Sequence, residues 1–317
     1  MNGYRAPRWL PGGQLQTIWP ALFARRARPR WRRQRWDTPD GDFIDVDRID
    51  AAAADAPLLV LFHGLEGSSR SHYAAALAQA CGDAGWSLAL PHFRGCSGEL
   101  NRAPRAYHSG DWAEIDWMLR RLRAAQRGPM FAAGVSLGGN ALLRWAQEAG
   151  AQAACTVGAV AAVSAPLDLA AGAAAIGRGF NRLVYTRMFL RTLKPKAIAL
   201  ARRHPGLADV ARIAAARDLH AFDDAFTAPV HGFADAVDYW RRSSAGPRLG
   251  EIRLPALVLN ARNDPFLPAR ALPTRAASAV TLEQPMHGGH VGFAHGAPPG
   301  RIDWMPQRLL AFFADSG

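Results

Sequence analysis

A serine between two glycines is the group in this sequence best placed to do covalent chemistry. Gly134, Ser136 and Gly138 form a Gly-x-Ser-x-Gly run. The apolar residues 131–135 predict a buried strand, and the residues after the serine begin a helical pattern. At such a turn the serine takes a strained backbone conformation, and glycines are needed beside it because side chains there would collide. A helix N-terminus also favours developing negative charge, so we predict that Ser136 is a nucleophile.

A serine nucleophile needs a histidine to take its proton and a carboxylate to orient that histidine. Asp264 lies in a loop just after a predicted strand. His287 and His290 both follow the last predicted strand and compete for the role of base. The glycines near His290 free its loop to bring the ring over the serine. The order serine, acid, histidine is that of α/β hydrolases, so the predicted triad is Ser136, Asp264 and His290, with His287 as the alternative base.

Acyl transfer through a serine also needs two N–H donors for the tetrahedral oxyanion. One donor is expected from the residue after the serine, which is Leu137. The other is expected from the loop after the first long buried strand, where His63-Gly64-Leu65 has the His-Gly-x form. We therefore predict that the backbone N–H groups of Leu65 and Leu137 form the oxyanion hole.

Strand and helix signals alternate along most of the chain, which indicates an α/β architecture with a mostly parallel sheet. The strands are short and apolar, as expected when both faces of a sheet are buried. The predicted strands cover residues 43–47, 58–62, 87–90, 130–135, 156–163, 254–259 and 280–282. The predicted helices of this layered part cover residues 71–83, 110–126, 137–148 and 306–314. The expected fold class is therefore the α/β-hydrolase fold, a central sheet flanked by helices.

The alternation stops in one long segment that carries only helical signals. Residues 166–250 include helical patterns near 187–191, 197–204, 210–219 and 235–242. An insertion of this kind between two strands predicts a helical cap over the carboxyl edge of the sheet. We therefore expect one discontinuous core domain, residues 1–165 and 251–317, with a cap or lid formed by residues 166–250.

Ten short motifs spread over nearly the whole chain resemble those of the YheT-like branch of the α/β-hydrolase superfamily. These motifs are Leu15-Gln16-Thr17, Pro39-Asp40-Gly41-Asp42-Phe43, His63-Gly64-Leu65-Glu66-Gly67-Ser68, His92-Phe93-Arg94-Gly95-Cys96-Ser97-Gly98, Tyr107-His108-Ser109-Gly110, Gly134-Val135-Ser136-Leu137-Gly138-Gly139-Asn140, Phe222-Asp223-Asp224, His231-Gly232-Phe233-Ala234-Asp235-Ala236, Asn263-Asp264-Pro265-Phe266 and His287-Gly288-Gly289-His290-Val291-Gly292-Phe293. The resemblance implies a carboxylesterase, related to eukaryotic α/β-hydrolase-domain lipid esterases, with the triad named above. Asn263 departs from the family pattern, where an aspartate is common, and leaves Asp264 as the acid of that turn.

Several further residues are candidates for substrate binding. His92 and Arg94 lie in or near the loop after the strand 87–90, where they either line the substrate entrance or fix loops by hydrogen bonding. His63, at the end of the strand 58–62, is also a candidate for substrate binding. Met188 and Phe189 belong to an apolar part of the predicted cap and suggest a lipophilic acyl pocket.

The formal net charge of +12 rests almost wholly on arginine. The densest cluster, residues 25–36, is either an arm for nucleic acid or acidic lipid or an ordered segment whose arginines face water. No nucleic-acid-binding motif accompanies it, so we expect no nucleic-acid partner and keep open a peripheral contact with lipid.

Other features of the sequence limit the cellular compartment and the chemistry that we expect. The apolar runs are far shorter than the roughly 20 residues of a membrane helix, and residues 1–9 are polar and basic, so we expect a cytoplasmic protein without a transmembrane segment. The three cysteines have no metal-ligand spacing. Asp223, Asp224 and His231 lack the spacing of a helical metal motif, so we expect no metal and no cofactor.

The predicted function is a serine esterase that cleaves carboxylic esters, with lipophilic acyl groups favoured, through an acyl-enzyme. An acyltransferase, a thioesterase or an amidase could use the same residues, since the fold does not settle the substrate. The alternative from a different functional class is a non-enzymatic protein that binds anionic surfaces through residues 25–36.

Overall fold

The computed structural model describes residues 3–24 and 28–316. These residues form one eight-stranded sheet with the order β1-β2-β4-β3-β5-β6-β7-β8. The strands β3 to β8 pair in parallel, whereas β2 is antiparallel to both β1 and β4. The strands are β1 (Arg32–Asp37), β2 (Phe43–Ile49), β3 (Leu58–Phe62), β4 (Ser87–Pro91), β5 (Met130–Val135), β6 (Val160–Val163), β7 (Ala256–Leu259) and β8 (Val280–Glu283). The prediction of an α/β fold with a mostly parallel sheet is confirmed.

Helices cover both faces of the sheet and fill the segment between β6 and β7. The helices are α1 (Gly12–Phe23), α2 (His72–Asp83), α3 (Trp112–Ala125), α4 (Leu137–Ala149), α5 (Ala153–Thr156), α6 (Leu169–Ile176), α7 (Gly179–Asn181), α8 (Arg187–Arg203), α9 (Val210–Ala215), α10 (Leu219–Phe222), α11 (Ala228–Val230), α12 (Ala236–Ser243) and α13 (Trp304–Ala314). Two π-helical turns, Arg182–Thr186 and Asp223–Thr227, precede α8 and α11. Short 3-10 turns occupy Gly150–Gln152, Gly246–Glu251 and Ala269–Ala271.

The central strands are apolar on both faces because each face packs against helices. Along β3, Leu58, Val60 and Phe62 pack on the side of α3 and α4, whereas Leu59 and Leu61 pack on the side of α2 and α13. All five side chains are fully buried. Successive side chains of a strand point to opposite faces, so a strand buried on both sides shows a continuous apolar run instead of alternation.

Two elements near the N-terminus were not predicted from the sequence. The helix α1 packs beside the loop after β8, and β1 is an edge strand that carries Arg32, Arg33 and Arg35. Arg33 and Arg35 bind Asp47 and Asp45 of the neighbouring strand at 2.7 Å and 2.8 Å. These cross-strand ion pairs take the place of apolar alternation, which is why the periodicity did not reveal the strand. Of the basic segment 25–36, residues 25–27 lie outside the described residues.

One strand boundary was predicted wrongly. The strand expected over residues 156–163 begins only at Val160, because Ala153–Thr156 completes a helical turn and Gly158 lies in the bend between them. The other predicted core strands agree with the structure to within two residues at each end.

The segment between β6 and β7 is described throughout and contains helices and loops, with no strand among its described residues. Part of it has a hydrophobic cluster of its own, formed around Leu190, Leu200, Ile213 and Phe226. The division into a core of residues 1–165 and 251–317 and a cap of residues 166–250 stays a prediction. Among the described residues no helix combines the length and apolar character needed to span a bilayer.

Candidate active site

Ser136 occupies the sharp turn between β5 and α4. Its backbone has φ 52° and ψ −121°, in the left-handed region that side chains rarely adopt. The turn is held in place because the Ser136 N–H donates to the Val163 carbonyl at 2.8 Å, while its own carbonyl accepts from Gly139 and Asn140. This strained geometry, fixed from both sides, is that of a nucleophile elbow.

The glycines around Ser136 are required by close backbone approaches. A Cβ added at Gly138 would lie 2.5 Å from the carbonyl oxygens of Phe62 and His63. A Cβ added at Gly139 would lie 2.9 Å from the Gly134 carbonyl oxygen. The start of α4 therefore packs directly against the ends of β3 and β5, and only glycine fits there.

The structure brings Ser136, Asp264 and His290 together, although they are far apart in the sequence. The His290 Nε2 atom lies 3.0 Å from Ser136 Oγ, and His290 Nδ1 lies 2.8 Å from Asp264 Oδ2. The Asp264 side chain is fully buried, and its Oδ1 accepts from the Phe266 N–H at 2.8 Å. The Phe266 ring covers the imidazole at a centroid distance of 4.1 Å. Carboxylate, imidazole and hydroxyl are thus in hydrogen-bonding sequence.

His287, the alternative base, points elsewhere. Its side chain is exposed, and its Nδ1 lies 3.4 Å from Asn263 Nδ2. The geometry therefore selects His290 over His287 as the histidine that contacts Ser136.

The helix α1 holds the histidine loop, a role that the sequence did not reveal. Thr17 Oγ1 accepts from the His290 N–H at 2.8 Å, and Gln16 Oε1 accepts from the Gly288 N–H at 2.9 Å. A Cβ at Gly289 would lie 2.7 Å from the Gln16 carbonyl carbon, so the loop and the helix are in backbone contact. The only signal for this role was that Leu15-Gln16-Thr17 was one of the motifs that carried the resemblance.

Leu65 and Leu137 both line the cavity into which Ser136 faces. Their backbone N–H groups form no hydrogen bond to any other described residue. The loop of Leu65 passes close to Ser136, since a Cβ added at Gly64 would lie 3.1 Å from Ser136 Cβ. Both N–H groups are therefore available near the serine, as an oxyanion hole requires.

Glu66 fixes the loop that carries Leu65. It has φ 58°, and its N–H donates to the Tyr107 hydroxyl at 3.0 Å. Its carboxylate accepts from the same hydroxyl and from Lys196 Nζ, each at 2.9 Å. Because Lys196 belongs to α8, this ion pair ties the inserted helices to the loop of Leu65.

His63 and His92 do not contact the cavity, which corrects their prediction as substrate-binding residues. His63 is fully buried, and its Nε2 accepts from the Phe93 N–H at 3.0 Å while Nδ1 lies 2.8 Å from the Gly64 carbonyl. Burial lowers the pKa of His63 to about 3, so the ring is neutral. His92 Nε2 lies 2.8 Å from Asp47 Oδ2. A role in fixing a loop by hydrogen bonding was the alternative for His92, and the His63 ring has a role of the same kind.

The other three predicted substrate-binding residues divide between the cavity and the surface. Arg94 borders the cavity, but its guanidinium is held by Asp40, Asp42 and Glu114 at 2.6–2.9 Å and is nearly buried. Phe189 lines the cavity, and its contact with substrate stays a prediction. Met188, one residue earlier on the same helix, is 52% exposed and faces away, so its prediction was wrong.

The cavity above Ser136 has a volume of about 150 Å³ and a predominantly apolar wall. The wall combines residues of the sheet loops with residues of the inserted helices. Its apolar members include Leu65, Leu100, Leu169, Ile176, Phe189, Leu193, Leu200, Phe222, Phe226, Trp240, Phe266 and Leu267. Asp223 also borders it, and burial raises the pKa of this carboxyl to about 6. Asp223 accepts from Thr227 Oγ1 and Trp240 Nε1, and the described residues contain no group of three or more side chains arranged to hold a metal ion.

The fold and the family comparison define the class of this protein. A family model described as the alpha/beta hydrolase fold matches residues 57–297, which is most of the chain. The chain belongs to the α/β hydrolase fold family, as its sheet order and its elbow serine had indicated.

Individual relatives indicate which branch of that family the chain resembles. An Escherichia coli (strain K12) protein named "Putative esterase YheT" is 41% identical over 304 residues, 93% of this chain and 88% of that protein. The mouse protein named Phospholipase ABHD3 is 26% identical over 315 residues, 96% of this chain and 76% of that protein. The expected resemblance to YheT-like proteins is thereby confirmed.

A solved structure gives the same fold. The Pyrococcus furiosus esterase Pf2001 aligns with a TM-score of 0.57 at 14% identity, covering 91% of this chain and 94% of that chain. At this level of identity the similarity concerns the fold alone.

Proposed function

We propose that this protein is a serine esterase that hydrolyses carboxylic esters of lipophilic acyl groups. The observation that carries the proposal is the chain of contacts from Asp264 through His290 to Ser136 Oγ, at 2.8 Å and 3.0 Å, beside an apolar cavity. A hydroxyl in this arrangement becomes a nucleophile because the imidazole accepts its proton as it attacks.

The reaction follows from these positions in two half-reactions. Ser136 Oγ forms a bond to the ester carbonyl carbon while its proton passes to His290 Nε2. The bond from that carbon to the alcohol oxygen then breaks, and His290 returns the proton to the leaving alcohol. A water molecule attacks the acyl-enzyme with His290 again as base, and the carboxylic acid leaves as Ser136 regains its proton. Asp264 stabilises the imidazolium in both half-reactions.

We assign the stabilisation of the negative charge that develops on the carbonyl oxygen to the backbone N–H groups of Leu65 and Leu137. Such donors contribute most when they are fixed before the reaction begins. Glu66, tied to Tyr107 and Lys196, supplies that rigidity for the Leu65 loop. The N-terminus of α4 adds its dipole at the same point.

The acyl group is proposed to occupy the cavity between the sheet and the inserted helices, which act as a cap. The apolar wall supports a lipophilic acyl chain, because burying each methylene group there is worth about 0.8 kcal/mol. The printed names of the relatives, an esterase and a phospholipase, support an ester and in particular a lipid ester.

The nucleophile is tested by replacement and by labelling. Ser136→Ala should abolish hydrolysis of p-nitrophenyl butyrate and the reaction with a fluorophosphonate probe. Ser278 provides the control, since it is exposed in the turn before β8, at the opposite end of the parallel strands from Ser136. Ser278→Ala should still be labelled, and the modified peptide should contain Ser136. An adduct on any other residue would refute the assignment.

Two further experiments test the substrate class and the type of reaction. Across p-nitrophenyl esters of increasing chain length, turnover should rise beyond acetate, and a steady decline from acetate onward would contradict an acyl pocket. Adding short alcohols during turnover distinguishes hydrolysis from acyl transfer. Free acid should remain the main product, whereas a dominant transester would favour an acyltransferase.

A further inference from the structure

The positive charge of this protein is distributed unevenly over its surface. Residues 169–208 contain eight lysines and arginines and neither aspartate nor glutamate. The arginines of β1, in contrast, bind carboxylates of β2 and of the loop that follows it. The charge of β1 is thus compensated within the fold, whereas among the described residues only Lys196 of the eight cations in 169–208 pairs with a carboxylate.

Much of the uncompensated charge converges on one surface groove, which we call the basic groove. It has a volume of about 440 Å³ and is lined by Leu183, Leu190 and five cationic residues, Arg182, Arg187, Arg191, Lys194 and Arg217. Within the described ranges 3–24 and 28–316, the guanidinium groups of the four arginines form neither a hydrogen bond nor an ion pair. Lys194 donates only to the carbonyl oxygens of Ala214 and Ala216. Several guanidinium groups therefore face one space without a counter-charge.

Large apolar side chains stand exposed next to this groove. Phe180, Leu183 and Met188 are 51%, 58% and 52% exposed. They lie in the same stretch of chain as the arginines, and Leu183 lines the groove itself. Protein surfaces seldom leave so many large apolar side chains uncovered together unless something binds there.

The same helix connects this surface to the cavity. On α8, Arg187, Leu190 and Arg191 face the basic groove, whereas Phe189 and Leu193 line the cavity above Ser136. A partner that occupied the groove would therefore lie one helix thickness from the proposed acyl site.

We propose that the basic groove and the exposed residues Phe180, Leu183 and Met188 form a docking surface for a lipid bilayer that contains anionic headgroups. Arginines bind phosphate through paired N–H donors, and apolar side chains interleaved with them enter the boundary of the acyl chains. A nucleic acid would satisfy the charge but would leave the aliphatic side chains of Leu183 and Met188 exposed to water. The docked protein holds α8 against the bilayer, so an ester lipid has a short path to the cavity.

Vesicle flotation tests the docking surface without any need for turnover. The purified protein should float with vesicles of phosphatidylglycerol and phosphatidylcholine, remain unbound with phosphatidylcholine alone, and be released by high salt. Arg187→Gln combined with Arg191→Gln should weaken partitioning by about 30-fold, since each arginine near an anionic surface contributes about 1 kcal/mol. Leu183→Ser should also weaken it.

A matched charge control comes from the opposite edge of the sheet. Arg127 and Arg253 are exposed and precede β5 and β7, whereas Ser136 and Asp264 follow those strands. Arg127→Gln combined with Arg253→Gln removes the same net charge and should leave partitioning within about 2-fold. All variants should hydrolyse a soluble short-chain ester at the parent rate, because none of the substituted residues borders the cavity.

The inference stands apart from the proposed esterase function, because Ser136→Ala protein should float as the parent does. It is overturned if vesicles without anionic lipid bind equally well, if the two double variants weaken binding equally, or if no vesicle is bound. It is also overturned if double-stranded DNA binds more tightly than anionic vesicles at the same salt concentration and Arg187 and Arg191 are required for that binding.

Discussion

Replacing Thr17 by valine should slow ester hydrolysis even though Thr17 is not expected to touch the substrate. Thr17 Oγ1 accepts from the His290 N–H at 2.8 Å and donates to the Gly13 carbonyl at 2.7 Å. Valine has nearly the same shape but cannot accept a hydrogen bond, so the His290 N–H loses its partner. The loop then either keeps an unpaired donor or moves to find another acceptor.

The structure sets the size of this effect. An unsatisfied buried donor costs about 1–3 kcal/mol. If the loop relieves that cost by moving His290 away from its 3.0 Å contact with Ser136 Oγ, kcat/KM should fall by about 5- to 150-fold. Thr17→Ser keeps the hydroxyl and should restore most of the activity.

The assay combines steady-state hydrolysis of p-nitrophenyl butyrate with the free energy of unfolding in urea. Thr38 provides the matched control. Its hydroxyl also accepts from a backbone N–H, that of Asp42, at a distance of 3.1 Å, but this contact does not involve the loops of the triad. Thr38→Val should lower the free energy of unfolding but change kcat/KM by less than about 2-fold. Equal losses of activity in Thr17→Val and Thr38→Val, or a failure of Thr17→Ser to recover, would refute a positioning role for α1.

Three further predictions test the triad, the elbow and the buried histidines. Asp264→Asn should lower kcat by about 10,000-fold with the fold retained in circular dichroism, because an amide cannot hold the required tautomer of His290, and a loss below about 10-fold would contradict the assignment. Gly138→Ala should abolish activity and lower the free energy of unfolding by about 1–3 kcal/mol, whereas Gly82→Ala, in a helix with open space around the added methyl group, should raise it by about 0.5–1 kcal/mol. Burial lowers the pKa of both His63 and His231 to about 3, so the folded state binds fewer protons than the unfolded state between pH 3 and 6.5. The free energy of unfolding should therefore fall as the pH drops below 6.5, by about 1.4 kcal/mol per pH unit for each histidine. His231→Gln should reduce this pH dependence by the contribution of one histidine, as measured by urea titrations between pH 6.5 and 4.5.

Local patterns in the sequence determined the layered core and the sharp turn that carries Ser136. The bounds of β3 and β5 agree with their apolar runs, because burial on both faces requires several consecutive apolar residues. The turn at Ser136 was predictable for a similar reason, since its close backbone approaches admit only glycine at neighbouring positions. Both features depend on a few adjacent residues.

Contacts between distant parts of the chain were decided only by the tertiary structure. Thr17 and His290 are brought together from opposite ends of the chain, and apart from the family motif Leu15-Gln16-Thr17 nothing in the sequence near Thr17 predicts this contact. The same holds for His63, which turned inward to bind backbone groups, and for β1, whose arginines are paired by β2. A side chain's type limits what it can do, but its burial and its partners arise only when the sheet and helices are assembled. Sequence alone therefore supplied the reactive groups, whereas the three-dimensional packing determined which of them face the cavity, which support it, and which remain uncompensated on the surface.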